Sequence, residues 1–151
     1  MSRRALLDIN VLVALFDPDH VHHELAHDWF ADHHSAGWAS CPLTENGLIR
    51  VLANPRYGSP NASLRGVREA VRRFFASDEH ECWPDDVSIA DDALFNVTAM
   101  AGHRQITDVY LLGLATRRKG HLVTFDRSIP LKAVIGADRE SLTLIEPLDA
   151  H

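Results

Sequence analysis

The chain has 151 residues, 46% of them apolar and 24% charged, and a formal net charge of −6. That length suits one domain over residues 1–151, and the composition excludes a disordered, collagen-like or repetitive chain. The acidic balance argues against a general nucleic-acid coat, which needs Lys and Arg for phosphates, but leaves room for an enzyme whose acids gather around cations.

Short apolar runs alternate with helix-length amphipathic segments, the pattern of an α/β fold on a mainly parallel sheet. Ala5-Leu6-Leu7 reads as a short buried strand and residues 11–16 as a helix, which Asp17-Pro18-Asp19 breaks. A second helix covers 22–34 and a short strand 38–40. Pro42 suits the first turn of a helix running to about residue 52, where Asn54-Pro55 stops it. Over 63–75, Leu64, Val67, Val71 and Phe74 recur at helical spacing and leave one buried stripe. Residues 88–100 read as a further helix. Thr107 is a capping hydroxyl for the next one, which ends in Arg117-Arg118-Lys119-Gly120. Strands follow at 122–125 and 143–145, with no linker and no internal repeat.

Cys41 and Cys82 are too few for a disulfide framework and do not form a CxxC pair, which suits reduced thiols in a cytoplasmic protein. The opening Met1-Ser2-Arg3-Arg4 and its apolar run imitate a signal peptide. Asp8 and Asn10 interrupt that run, however, and no small-residue cleavage site follows. No apolar stretch approaches the roughly 18 residues that span a bilayer.

In open α/β sheets ligands bind beyond the carboxyl ends of the strands. Asp8 and Asp126 directly follow predicted strands, while Glu45 and Asp108 lie in the first turns of predicted helices. Acids in first turns also have a purely structural reason, because the helix dipole favours them. If the four converge, they repel: two carboxylates about 4 Å apart cost roughly 4 kcal/mol at an effective dielectric of 20. Magnesium or manganese removes that cost, since hard cations take oxygen ligands, and such ions support phosphodiester hydrolysis.

Four segments carry a resemblance. Leu6-Leu7-Asp8-Ile9-Asn10-Val11-Leu12-Val13 resembles the opening of PIN domains, in which an aspartate is followed two residues later by Ser, Thr or Asn. Pro42-Leu43-Thr44-Glu45-Asn46-Gly47-Leu48-Ile49-Arg50 is similar to the family's second acidic segment. Ile106-Thr107-Asp108-Val109-Tyr110-Leu111-Leu112 resembles the third, and Leu122-Val123-Thr124-Phe125-Asp126-Arg127 the fourth. The ordered set runs from Ala5 to about Arg127 and is most similar to VapC-type toxins, many of which cut RNA. The resemblance implies a three-layer α/β/α fold with a mainly parallel central sheet. It also implies an endoribonuclease whose Asp8, Glu45, Asp108 and Asp126 are the catalytic residues and hold Mg²⁺ or Mn²⁺, supported by Asn10 and Thr107. The partners it implies are an RNA substrate, a small cognate antitoxin and a second copy of the chain, with DNA reached only through the antitoxin.

Arg50 and Arg127 stand close in sequence to site acids and are candidates for RNA-phosphate contact. Arg65, Arg68, Arg72 and Arg73 flank the apolar stripe of the 63–75 helix; Glu69 pairs favourably with Arg73 at i,i+4, which suits a plain exposed face, with RNA or partner contact as the alternative. Six histidines, His20, His22, His23, His27, His33 and His34, cluster around one helix. His23 and His27 have zinc-compatible spacing, but no HExxH and no nearby cysteine accompany them, so a solvated face is the simpler reading. Trp29, Trp38 and Trp83 read as core or rim residues.

Rival classes fit less well. A haloacid-dehalogenase-type phosphotransferase wants a general acid two residues after the first aspartate, where Asn10 cannot donate a proton. A receiver-type domain needs an early acidic pair, and Asp8 stands alone. A catalytically inactive PIN-fold binding subunit, acting through its antitoxin, is the remaining alternative.

Overall fold

The computed structural model describes residues 3–57 and 63–147. Its sheet has five strands, β1 (Ala5–Leu7), β2 (Trp38–Ser40), β3 (His80–Cys82), β4 (His121–Thr124) and β5 (Leu142–Leu144), in the order β3-β2-β1-β4-β5. Every neighbouring pair is parallel, so the chain must return to the same end of the sheet before each strand. Among the described residues five α-helices accompany them: α1 (Ile9–Phe16), α2 (His23–His33), α3 (Pro42–Leu52), α4 (Leu64–Phe75) and α5 (Ile106–Arg117).

Central β1 is apolar at all three positions because both of its faces are covered. Leu6, with Ala39 and Leu122 in register beside it, packs on Leu111, Leu112, Leu114 and Ala115 of α5. Ala5 and Leu7, with Trp38 and Val123, face Val11 and Leu12 of α1, Leu48 of α3 and Val71 of α4. The alternation of strand side chains thus feeds two cores, one on each side of the sheet, and three layers result. Each fully buried Leu among them contributes about 1.5–3 kcal/mol of transfer free energy.

Residues 88–100 do not form the expected helix. They make turns and a 3-10 helix at Val97–Ala99. Ser88 Oγ accepts from Ala90 N at 3.1 Å and Asp91 Oδ1 from Ala93 N at 2.9 Å, local bonds that compete with a helical ladder. Distant backbone then claims the rest: Phe95 bridges antiparallel to Val134, Asn96 N donates to Ala133 O at 2.9 Å, and Ile135 N to Leu94 O at 2.8 Å.

Two smaller expectations also change. Helix α5 begins at Ile106, which puts Thr107 inside the first turn rather than at the cap. The cap is Gln105, whose amide instead accepts from Ala101 N at 2.8 Å and donates to Ser128 O at 3.1 Å. At the other end Lys119, with φ 58°, takes the left-handed turn. Gly120 has a different duty, because a Cβ there would lie 2.4 Å from the Arg4 carbonyl oxygen. Among the described residues no helix is long and apolar enough to cross a membrane.

Candidate active site

Asp8 is the residue at which β1 becomes α1. Its backbone is extended (φ −62°, ψ 155°), and its N–H still donates to Val123 O at 3.0 Å, as if the strand continued. Both carboxylate oxygens are engaged. Oδ1 accepts from Ile9 N at 2.7 Å, capping α1, and Oδ2 accepts from Thr124 Oγ1 at 2.7 Å. The residue is 3% exposed. Burial pushes its pKa up; the bonds from Thr124 and Ile9 oppose that rise, and the Asp126 charge adds to it.

Asp108 lies in the first turn of α5. That helix leads into the start of β4, so it runs against the strands and brings its N-terminus to the sheet end where Asp8 stands. Burial, then the Asp8 charge, then the hydrogen bond and charge of Asp126 push the Asp108 carboxyl up to about 7. Asp126 follows β4 by two residues. Its Oδ1 accepts from Ser128 N at 2.8 Å and from Ser128 Oγ at 2.7 Å, and these bonds hold its carboxyl below the usual range. The two neighbouring carboxyls are thus pushed apart, Asp108 upward and Asp126 downward. Three aspartates far apart in sequence form one electrostatic unit beyond the carboxyl ends of β1 and β4.

Thr124 and Ser128 were not singled out from sequence. The buried Thr124 hydroxyl donates to Asp8 and accepts from Asp126 N at 3.1 Å, so it braces two of the acids. Its signal was available: a hydroxyl two residues before the acid, near the end of an otherwise apolar strand, Leu122-Val123-Thr124-Phe125-Asp126.

The fourth predicted acid lies on α3. Glu45 occupies the first turn of that helix, half-buried. It lines a groove with Ile49, Arg68 and Arg72 and lies near Cys82, whose thiol is raised first by burial and then by the Glu45 charge. It remains close to the site through its helix. Two residues on, α3 packs so tightly on the residue after Asp8 that a Cβ at Gly47 would lie 2.5 Å from Ile9 Cδ1. Among the described residues no three His, Cys, Asp or Glu side chains are already grouped to hold a metal ion.

Asn10 stands exposed in the first turn of α1, two residues beyond Asp8, and Thr107 is exposed beside Asp108. Arg50 is exposed at the C-terminal end of α3, and Arg127 pairs with Glu146 at 3.1 Å. Glu69 takes Arg68 and Arg72, each at 3.3 Å, rather than the expected Arg73. His23 Nδ1 and His27 Nε2 lie 2.6 and 3.2 Å from the carbonyl oxygens of Ala14 and Leu15, so their rings tie α2 to the open C-terminus of α1. Trp38 and Trp83 are buried in the core; Trp29 is half-buried and stacks on His33.

A family model described as PIN domain matches residues 5–134. The chain is 44% identical over 142 residues to Ribonuclease VapC44 of Mycobacterium tuberculosis (strain ATCC 25618 / H37Rv), covering 94% of this chain and 99% of that one. Ribonuclease VapC39 of the same strain is 38% identical over 144 residues, 95% and 99% of the two chains. Ribonuclease VapC38 is 42% identical over 125 residues, 83% and 86%.

Proposed function

The chain belongs to the PIN-domain family as a VapC-type member, and from that premise we propose that it is a Mg²⁺- or Mn²⁺-dependent endoribonuclease, the toxin of a toxin–antitoxin pair. The observation that carries this reading is the placement of Asp8, Asp108 and Asp126 at the ligand-binding end of a parallel sheet, with Thr124 hydrogen-bonded to both Asp8 and Asp126. The names of its relatives, all ribonucleases, support the same reaction class.

The donor set suits a hard divalent cation. It consists of oxygen atoms, and the repulsion among them, which raises the Asp108 pKa, is what a divalent cation would relieve. Asp8, Asp108 and Asp126 would hold the ion, with Glu45 joining from α3 and Asn10 and Thr107 in support. Bound there, the ion would polarise the phosphodiester and stabilise the leaving oxygen. The chain's own contributions are positional and protonic. Thr124 donates to Asp8 and so orients its carboxylate, Ser128 favours the ionised form of Asp126, and Asp108 would bind a cation in its ionised form, its proton passing to solvent.

RNA is the substrate, with Arg50 and Arg127 contacting its phosphates. A small cognate antitoxin restrains the enzyme in the cytoplasm, and DNA is met only through that antitoxin. The working form is a homodimer. Purified protein freed of antitoxin should cleave RNA when Mn²⁺ is added and stop in excess EDTA, with cleavage returning on metal replacement. RNA cleavage undiminished in EDTA would sink the metal mechanism, and no cleavage at any Mn²⁺ concentration would favour the inactive binding subunit.

A further inference from the structure

A groove of about 600 Å³ runs between α3 and α4. Glu45 and Ile49 line it from one helix, Arg68, Val71, Arg72 and Phe75 from the other. Its two kinds of surface are distinct. Val71 is buried and Phe75 half-buried, giving an apolar wall, whereas the Arg68 and Arg72 side chains are 59% and 64% exposed. Both guanidinia lean on one oxygen, Glu69 Oε1, which leaves most of their N–H donors for another acceptor. In a chain of net charge −6, α4 carries four arginines against one glutamate.

An acidic centre repels a phosphodiester, so a polyanion needs a cationic surface close beside it to approach. Grooves that combine such cations with apolar or aromatic walls are the form in which single-stranded nucleic acid is held. This groove adjoins the acids: Glu45 lines it, and the same helix packs Gly47 against Ile9, the residue next to Asp8. We propose that the α3–α4 groove is a subsite for a single-stranded flank of the RNA, with Arg68 and Arg72 pairing to backbone phosphates beside the bond that is cut. The inference rests on the ribonuclease reading for its substrate. An acidic protein segment would also satisfy the arginines, but the Phe75 ring in the wall beside them, on which a base can stack, favours a single strand of nucleic acid.

The test is binding of a fluorescein-labelled single-stranded RNA of mixed sequence to the metal-free protein, read by anisotropy across a series of salt concentrations. The Arg68→Gln/Arg72→Gln double variant should bind about tenfold more weakly at low salt, and its slope of log affinity against log salt should be shallower by about 1.4, two phosphate contacts at about 0.7 each for single strands. Arg68→Lys/Arg72→Lys should restore most of that slope, and a thermal melt followed by circular dichroism should be unchanged in both variants. With Mn²⁺ the Gln variant should show a raised KM and an unaltered kcat. An unchanged salt slope overturns the proposal, as does normal RNA binding accompanied by loss of an acidic protein partner. If wild type binds RNA through these arginines yet never cleaves it, the subsite stands and the nuclease reading fails.

Discussion

Replacing Asp108 by Asn should stabilise the metal-free protein, and only above a defined pH. The native carboxyl keeps its proton up to about 7, whereas in the unfolded chain it ionises near 3.8. Between those values the native state binds the extra proton, so stability falls as pH rises through the window, and the penalty is complete above about 7. Taken at face value the displacement corresponds to about 4 kcal/mol; solvent screening at a half-exposed side chain reduces it to about 1–2 kcal/mol. Asn removes the charge, preserves the volume and can still donate an N–H to Asp126. Against this gain stands the loss of a first-turn acid from the helix dipole, about 0.3–1 kcal/mol. The variant should therefore match wild type near pH 4 and melt a few degrees higher at pH 8, since about 1 kcal/mol moves Tm by roughly 2–4 °C at this size. Adding Mn²⁺ should reverse the order. A ligand at a hundredfold excess over its Kd adds about 2.7 kcal/mol to the folded state, and the variant has lost a charged donor. An Asn variant that melts lower than wild type at pH 8, with an unchanged Mn²⁺ response, would show that Asp108 serves the helix and not a metal.

Asp8→Ala should abolish RNA cleavage while circular dichroism stays native, since it removes the most buried acid of the trio; near-normal rates would exclude Asp8 from the chemistry. Thr124→Val frees Asp8 Oδ2 and leaves Asp126 N without its acceptor, so half-maximal activity should require about 10–100 times more Mn²⁺, as expected when a group orienting a ligand is lost. At low metal the cleavage rate should climb with pH through about 7 as Asp108 ionises, and higher Mn²⁺ should move that limb to lower pH by competing with the proton. A limb that ignores Mn²⁺ concentration would separate the proton from the metal site.

Much of this architecture is legible along the chain because the signals are local. Ala5-Leu6-Leu7 and Leu122-Val123 are buried on both faces and need no partner to be recognised as strands, and Pro42 and the Leu64–Phe74 spacing mark helices by themselves. β3 escaped because His80-Glu81-Cys82 has no apolar alternation; it is an edge strand recruited by its pairing with Trp38–Ser40. The segment 88–100 misled because Leu94, Val97 and Met100 are helically spaced, while its backbone is committed to residues 133–135, a choice that local spacing does not encode. At the site, the aspartates were legible from their places at the ends of strands and the start of a helix. The groove that Glu45 lines with α4 was not, because it exists only once α3 and α4 pack together. Nor were Thr124 and Ser128, whose roles exist only once β1 and β4 are neighbours and the chain after β4 turns back.

The central claim is that Asp8, Asp108 and Asp126 together bind the divalent ion with which RNA is cut. A crystal of the wild-type protein soaked in Mn²⁺, with anomalous difference density collected for manganese, tests it in one step. The account predicts a peak within coordination distance, about 2.0–2.6 Å, of carboxylate oxygens from at least two of the three aspartates. A strong peak confined to the His23–His27 face, or saturating Mn²⁺ with no peak at the trio in protein that still cleaves RNA, would contradict it.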